Sequence, residues 1–104
     1  MATKRAANKF ALLYGVSGYT GPLIAQKMAA QGIPVMLAGR SAQSVAAVAT
    51  HLNLPYCVFD LHNEAALATA LQSAAVFINA AGPLAQPPHD VVTACIQARV
   101  HYLD

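Results

Sequence analysis

The sequence predicts an α/β fold in which a doubly wound parallel sheet of about five strands has the order 3-2-1-4-5. Short apolar runs alternate with longer, alanine-rich amphipathic stretches along the 104 residues, which is typical of strands joined by crossover helices. The strand candidates are also continuously apolar, as expected for strands covered on both faces. We therefore expect one Rossmann-like domain over residues 10–104, after a polar tail at 1–9.

The first strand is predicted over residues 10–14, and a glycine-rich turn joins it to a helix over 22–31. Pro22 suits the first turn of this helix because a proline has no N–H to pair there. Gly32 suits the helix end, where the chain often takes a left-handed conformation. Strand, turn and helix thus form the first unit of the predicted fold.

The second strand is predicted over residues 35–38, and Ser41 caps a helix that runs to residue 51 or 52. Asn63 caps the third helix, over 64–72, in the same way. The remaining elements are strands over 56–59, 75–78 and 101–103 and a helix over 90–98.

The composition is unusually poor in charge. Hydrophobic residues make up 57% of the chain and charged residues 10%, against about 25% charged in a typical soluble domain. So small a domain leaves apolar side chains exposed, and we expect a homo-oligomer or a contact with a further domain. The net charge of +2 comes from the first nine residues and indicates no nucleic-acid partner. The chain has neither a long apolar run nor a secretory leader, so we expect a cytoplasmic protein with no membrane partner.

The cysteines and histidines indicate no metal site. Cys57 and Cys95 lack metal-ligand spacing and are interpreted as buried thiols, and the four histidines share no ligand spacing either. The sequence also has no Ser-His-Asp set and no carboxylate pair, so it predicts no particular catalytic residue.

A glycine motif, G-x-x-G-x-x-G over residues 15–21, follows the first strand. Gly15 would turn the chain, Gly18 would let a pyrophosphate approach, and Gly21 would let the helix pack closely on the strand. The helix N-terminus adds unpaired N–H groups and a positive dipole end. The predicted cofactor contacts in this motif are Gly15, Ser17, Gly18, Tyr19, Thr20 and Gly21. The alternative is a glycine turn without a ligand.

Gly39, Arg40 and Ser41 follow the second strand, where NAD-binding folds place a carboxylate for the ribose hydroxyls. The guanidinium of Arg40 can pair with a 2′-phosphate and stack on adenine, and Ser41 adds a hydroxyl. This position predicts NADP as the cofactor, with NAD less favoured. Taken alone, Arg40 would be a solvated surface charge, but its place about twenty residues past the glycine motif favours the cofactor role.

Two further turns lie at the same predicted sheet edge. Asp60 follows the third strand within reach of an adenine, although a solvated turn aspartate accounts for it equally well. Asn79, Ala80 and Gly82 follow the fourth strand and leave room for the nicotinamide ribose, with an ordinary tight turn as the alternative. We expect these residues to complete the cofactor site.

Four segments carry a family resemblance: Gly15-Val16-Ser17-Gly18-Tyr19-Thr20-Gly21, Leu37-Ala38-Gly39-Arg40, Ile78-Asn79-Ala80-Ala81-Gly82-Pro83, and Val92-Thr93-Ala94-Cys95 through His101-Tyr102-Leu103-Asp104. They resemble the N-terminal NAD(P)-binding domain of saccharopine dehydrogenase-like proteins. The resemblance implies a nicotinamide-dependent oxidoreductase, often dimeric, whose cofactor contacts include the glycine motif, Arg40, Asn79 and Gly82.

Members of this family usually continue past the last strand into a substrate domain. We therefore expect this chain to be the NADP(H)-binding domain without that substrate and catalytic domain. The alternative is a stand-alone sensor or interaction module that holds a dinucleotide without turnover.

Overall fold

The computed structural model describes residues 9–16, 18–80 and 89–103, which form one five-stranded parallel sheet with helices on both faces. The strands are β1 (Phe10–Tyr14), β2 (Val35–Gly39), β3 (Tyr56–Val58), β4 (Ala74–Asn79) and β5 (His101–Leu103). The helices are α1 (Thr20–Ala30), α2 (Ala42–Leu52), α3 (Glu64–Leu71) and α4 (His89–Ala98). The order is β3-β2-β1-β4-β5, so the predicted fold class and strand order are confirmed.

β1 is the central strand, and its apolar residues explain that position. It pairs in parallel with β2 on one side and β4 on the other, with Leu12 opposite Met36 and Phe77. Successive side chains of a strand point to opposite faces, so Leu12 and Leu13 enter different cores, and neither is exposed to solvent. A strand buried on both faces must be apolar throughout, as this one is.

Each face of the sheet has its own hydrophobic core. On one face α1 and α2 contribute Ala25, Val45 and Ala49, which pack with Leu13 and Leu37. On the other face α3 and α4 contribute a second set, Leu67, Leu71, Val91 and Cys95, which packs with Leu12, Tyr14 and Phe77. This is the three-layer arrangement that right-handed crossovers produce.

The helix ends follow local sequence signals. The Ser41 hydroxyl accepts a hydrogen bond from the Ser44 N–H at 3.3 Å, and the Asn63 side chain accepts one from the Ala66 N–H at 3.1 Å, as predicted for two N-caps. Gly32 follows α1 with a φ of 76°, the left-handed conformation that glycine adopts without strain. These caps fix where the helices begin and end.

Some boundaries differ from prediction. The first helix begins at Thr20, not Pro22, because proline fits any position of the first turn and does not by itself mark the first residue. β3 ends at Val58, one residue early, and β4 extends to Asn79. Among the described residues, no helix is both long and apolar enough to cross a membrane.

Candidate functional site

The candidate site lies at the carboxyl ends of β1 and β4, where the strand order reverses direction. The first residues past the strands stay hydrogen-bonded to the neighbouring strand: the Gly15 N–H donates to the Ala38 carbonyl at 2.9 Å, and the Ala80 N–H donates to the Tyr14 carbonyl at 2.8 Å. Open α/β sheets bind ligands in the crevice outside such a reversal. The structure therefore brings together Gly15 and Ala80, the first residues after β1 and β4.

The glycine motif shows two different uses of a missing side chain. Gly15 leaves β1 with a φ of 93°, a conformation that side chains disfavour. A Cβ on Gly21 would lie 2.6 Å from the Gly15 carbonyl oxygen and 2.7 Å from the Cα of Val16. A Cβ on Gly18 would meet no atom within 4 Å. Gly21 is therefore required by packing, whereas the space beside Gly18 is open to a ligand.

The N-terminus of α1 suits an anion. Tyr19, at the N-cap position, makes no capping hydrogen bond with its side chain, which is 84% exposed. The first turn of α1 contains no acidic residue, so no local carboxylate competes for the helix N–H groups. Thr20 is the first helical residue and is exposed. The open backbone beside Gly18 and this helix end together fit a phosphate group.

Arg40 lies immediately after β2, which pairs with β1 on the side opposite β4, and its side chain is exposed. Ser41 is exposed as well, and its hydroxyl oxygen already accepts the capping bond of α2, which leaves its O–H as the group to donate. Gly39 packs under α2, because a Cβ there would lie 2.6 Å from the side chain of Val45. The arrangement presents one exposed guanidinium and one hydroxyl at the sheet edge.

Asp60 follows β3 beside these residues and shapes its own turn. Its carboxylate accepts a hydrogen bond from the His62 N–H at 2.8 Å, and its carbonyl accepts one from the Asn63 N–H at 2.9 Å. An aspartate that binds the backbone two residues on stabilises a turn. The turn interpretation of Asp60 thus has contacts in the structure, and an adenine contact stays a prediction.

Tyr14, at the end of β1, contacts Phe59, which follows β3. Its hydroxyl donates to the Phe59 carbonyl at 2.8 Å, and its ring, which is 4% exposed, lies 5.3 Å from the Phe59 ring. Burial raises the pKa of this phenol above its usual 10.0; the negative charge of Asp60 adds to the rise, and the positive charge of Arg40 opposes it. Both charged residues of the predicted adenine side therefore act on Tyr14.

Four aromatic rings form a row across this face of the sheet. Tyr14 lies between Phe59 and Phe77, with 6.2 Å between the Tyr14 and Phe77 centroids. Phe77 in turn stacks on Tyr102, at 5.8 Å and an interplanar angle of 12°. Phe59 follows β3, and the other three rings lie on β1, β4 and β5. Sequence reasoning missed this row because the pairing register of the strands brings the rings together, and no local pattern predicts that register.

Asn79 ends β4, directly opposite Tyr14 of β1. Its side-chain Nδ2 donates a partly buried hydrogen bond of 3.0 Å to the hydroxyl of Tyr102 in β5. The site therefore includes Tyr102, which the sequence did not single out as a functional residue. Ser17 and Gly82, two of the predicted cofactor contacts, lie outside the described residues.

The two cysteines are thiols, and the described residues form no group of metal ligands. Cys95, on α4, is buried in the core, and Cys57 is half-buried on β3; both are free, and burial raises the pKa of each above the usual 9.0. Within the described ranges no three His, Cys, Asp or Glu side chains come together as a group that could hold a metal ion.

Comparison with known proteins identifies one family. The family described as "Saccharopine dehydrogenase NADP binding domain" matches residues 11–104. Among solved structures, a saccharopine dehydrogenase (L-Glu forming) from Saccharomyces cerevisiae is similar with a TM-score of 0.74 and 25% identity, over 90% of this chain and 21% of that one. A search of curated protein sequences found no significant match.

Two Pseudomonas aeruginosa structures are also similar. A nucleoside-diphosphate-sugar epimerase has a TM-score of 0.74 and 26% identity, over 88% of this chain and 31% of that one. RhlG, solved as an NADP active-site complex, has a TM-score of 0.68 and 27% identity, over 86% of this chain and 44% of that one. The chain thus spans less than half the length of each of these proteins.

Proposed function

Because the chain belongs to the saccharopine dehydrogenase NADP-binding domain family, we propose that it binds NADP(H) across the carboxyl edge of its sheet, as the cofactor-binding part of an oxidoreductase. The observation that carries this proposal is the contrast within the glycine motif. Packing requires Gly21, whereas nothing in the protein's own described atoms requires the open space beside Gly18. A bound nicotinamide would supply hydride transfer, and residues at the carboxyl edge of the sheet would hold the cofactor.

The pyrophosphate would lie beside Gly18, at the start of α1. Backbone N–H groups of Gly18, Tyr19 and Thr20 are the proposed donors, and the helix dipole favours the negative charge. The exposed side chain of Tyr19 leaves the helix end accessible. Ser17, in the same loop, is a further proposed contact of the pyrophosphate.

The adenosine half would lie over the ends of β2 and β3. Arg40 is exposed at that position, and no carboxylate follows β2 to bind the ribose hydroxyls of NAD. A guanidinium forms paired, charge-assisted hydrogen bonds with a phosphate, which favours the 2′-phosphate of NADP. The Ser41 O–H and the turn at Asp60 are the proposed neighbours of this phosphate and of the adenine.

The nicotinamide half would lie over the end of β4, against Asn79 and Ala80, with Gly82 as a further proposed contact. Both Asn79 and Ala80 are half-buried, and Ala80 is tied to β1 through its N–H. A short side chain at residue 80 keeps the crevice between β1 and β4 wide. The cofactor would thus span the point where the strand order reverses.

Cofactor titration of the 104-residue chain, by calorimetry or NADPH fluorescence, tests the proposal. We expect NADPH to bind at least tenfold more tightly than NADH, and Arg40→Ala to weaken NADPH by about tenfold to a hundredfold, the range for losing charge-assisted hydrogen bonds. NADH affinity should change little. Arg99→Ala, which removes an exposed guanidinium at the opposite sheet edge, is the matched control and should bind as the wild type does.

Two results would contradict parts of the proposal separately. Equal affinity of the wild type for NADPH and NADH would remove the NADP assignment and leave a dinucleotide site. Absence of binding for both cofactors would remove the binding function.

A partner for the exposed apolar surface forms part of the proposed function. Ile96 on α4 is 71% exposed and Leu103 on the edge strand β5 is 55% exposed, which supports a contact with a second copy or with a substrate domain at this edge. Sedimentation of the chain distinguishes the two, because a strict monomer would contradict self-association.

A further inference from the structure

Asn79 occupies the position where β4 reaches the proposed nicotinamide side of the site. Its register partner is Tyr14, so its backbone is fixed by the central pairing of the sheet. Its side chain is fixed separately, by the 3.0 Å hydrogen bond from Nδ2 to the hydroxyl of Tyr102. A side chain on one strand is thus held by a side chain on the next.

Tyr102 is itself held firmly. It pairs with Phe77 in the β4–β5 ladder, and the two rings stack almost parallel, at 12°. Phe77 is fully buried and stacks in turn on Tyr14. Ring stacking and backbone pairing fix the phenol beside Phe77. Its hydroxyl therefore has a defined position next to Asn79, two residues after Phe77 on β4.

The hydrogen bond to Tyr102 restrains the position of the Asn79 side chain. A phenol hydroxyl can accept from the amide nitrogen or donate to the amide oxygen, so it can pair with the end of the asparagine side chain in either orientation. In both cases the contact limits the freedom of that side chain. A ligand that meets a side chain already restrained loses less side-chain freedom on binding than one that must order it.

We propose that Tyr102 is a positioning residue for the cofactor: its hydroxyl holds the Asn79 side chain in place for the nicotinamide-ribose half of NADP(H). This inference rests on the proposed function. The inference gives β5 a role in cofactor binding, although β5 is not one of the two strands that border the crevice. The row of four aromatic rings would support Tyr102 in this role.

A comparison of whole and half ligands tests the role. Tyr102→Phe keeps the ring and removes only the hydroxyl. We expect it to weaken NADPH by about threefold to tenfold, the range for one neutral hydrogen bond, and to leave adenosine 2′,5′-bisphosphate unchanged. Asn79→Ala should show the same selectivity, and Tyr102→Phe combined with Asn79→Ala should lose no more than Asn79→Ala alone, because Tyr102 would act on the cofactor through Asn79.

Tyr56→Phe is the matched control, since it removes a phenol hydroxyl from the exposed side chain on β3, and it should bind both ligands as the wild type does. A merely structural Tyr102 would weaken both ligands together or give additive losses with Asn79→Ala, and either result overturns the inference, as would wild-type NADPH binding by Tyr102→Phe. Failure of the wild type to bind either ligand would instead overturn the proposed function.

Discussion

Gly21 packs directly on the backbone of Gly15: a Cβ on Gly21 would lie 2.6 Å from the Gly15 carbonyl oxygen. Backbone atoms cannot move aside as the end of a side chain can. We expect Gly21→Ala to lower the free energy of unfolding by about 1–3 kcal/mol, the usual cost of overpacking. Urea denaturation followed by circular dichroism measures it, and unchanged stability would show that the loop yields.

Gly18→Ala should have the opposite profile. Its Cβ would enter open space, and Gly18 is not among the glycines with positive φ, so we expect stability to stay within about 0.5 kcal/mol of the wild type. NADPH affinity should fall on the order of tenfold because the methyl group occupies the proposed pyrophosphate position. A loss of stability without a loss of affinity would contradict both expectations.

Local signals predicted those parts of the structure that local chemistry determines. Ser41 and Asn63 cap their helices as expected, because each cap depends on residues only three positions apart. Tyr14 and Phe59 lie 45 residues apart, and Asn79 and Tyr102 lie 23 apart. The strand order is predictable from the sequence, but such contacts also depend on the register between strands, and no single segment carries that information.

The helix ends offer a test of backbone strain. Arg99, just after α4, has a φ of 60°, a left-handed conformation that costs a residue with a Cβ about 1–2 kcal/mol. We expect Arg99→Gly to raise the free energy of unfolding by about 0.5–1 kcal/mol, part of the relief being offset by the greater chain entropy of glycine. Asn53→Gly, with a φ of 58° in the wild type, should gain less because asparagine tolerates this region. Thermal unfolding of the two variants tests this prediction, and a destabilised Arg99→Gly would contradict it.

Stability should fall at alkaline pH. Burial raises the thiol pKa values of Cys57 and Cys95 above 9.0 and the phenol pKa of Tyr14 above 10.0, so the unfolded chain loses these protons first. Their contribution is complete below pH 9 and is lost as the pH rises through the raised folded-state pKa values. Urea midpoints between pH 7 and pH 11 measure the decline.

Two variants assign that decline to the groups named. Cys57→Ala combined with Cys95→Ala should flatten the slope that begins near pH 9, and Tyr14→Phe should flatten the part that begins near pH 10. A slope unchanged in both backgrounds would place the titration elsewhere in the chain.

The buried hydroxyl of Tyr14 has a consequence for how the sheet assembles. Residues 11–14 of β1 are buried on both faces, so a slip of one residue would exchange Leu12 with Leu13 and change the buried apolar area little. The same slip would carry Tyr14 to the opposite face, away from the Phe59 carbonyl, and leave a buried O–H unpaired at a cost of about 1–3 kcal/mol. The Tyr14 side chain, through its hydroxyl and its ring contacts with Phe59 and Phe77, thus disfavours a one-residue slip of the central strand.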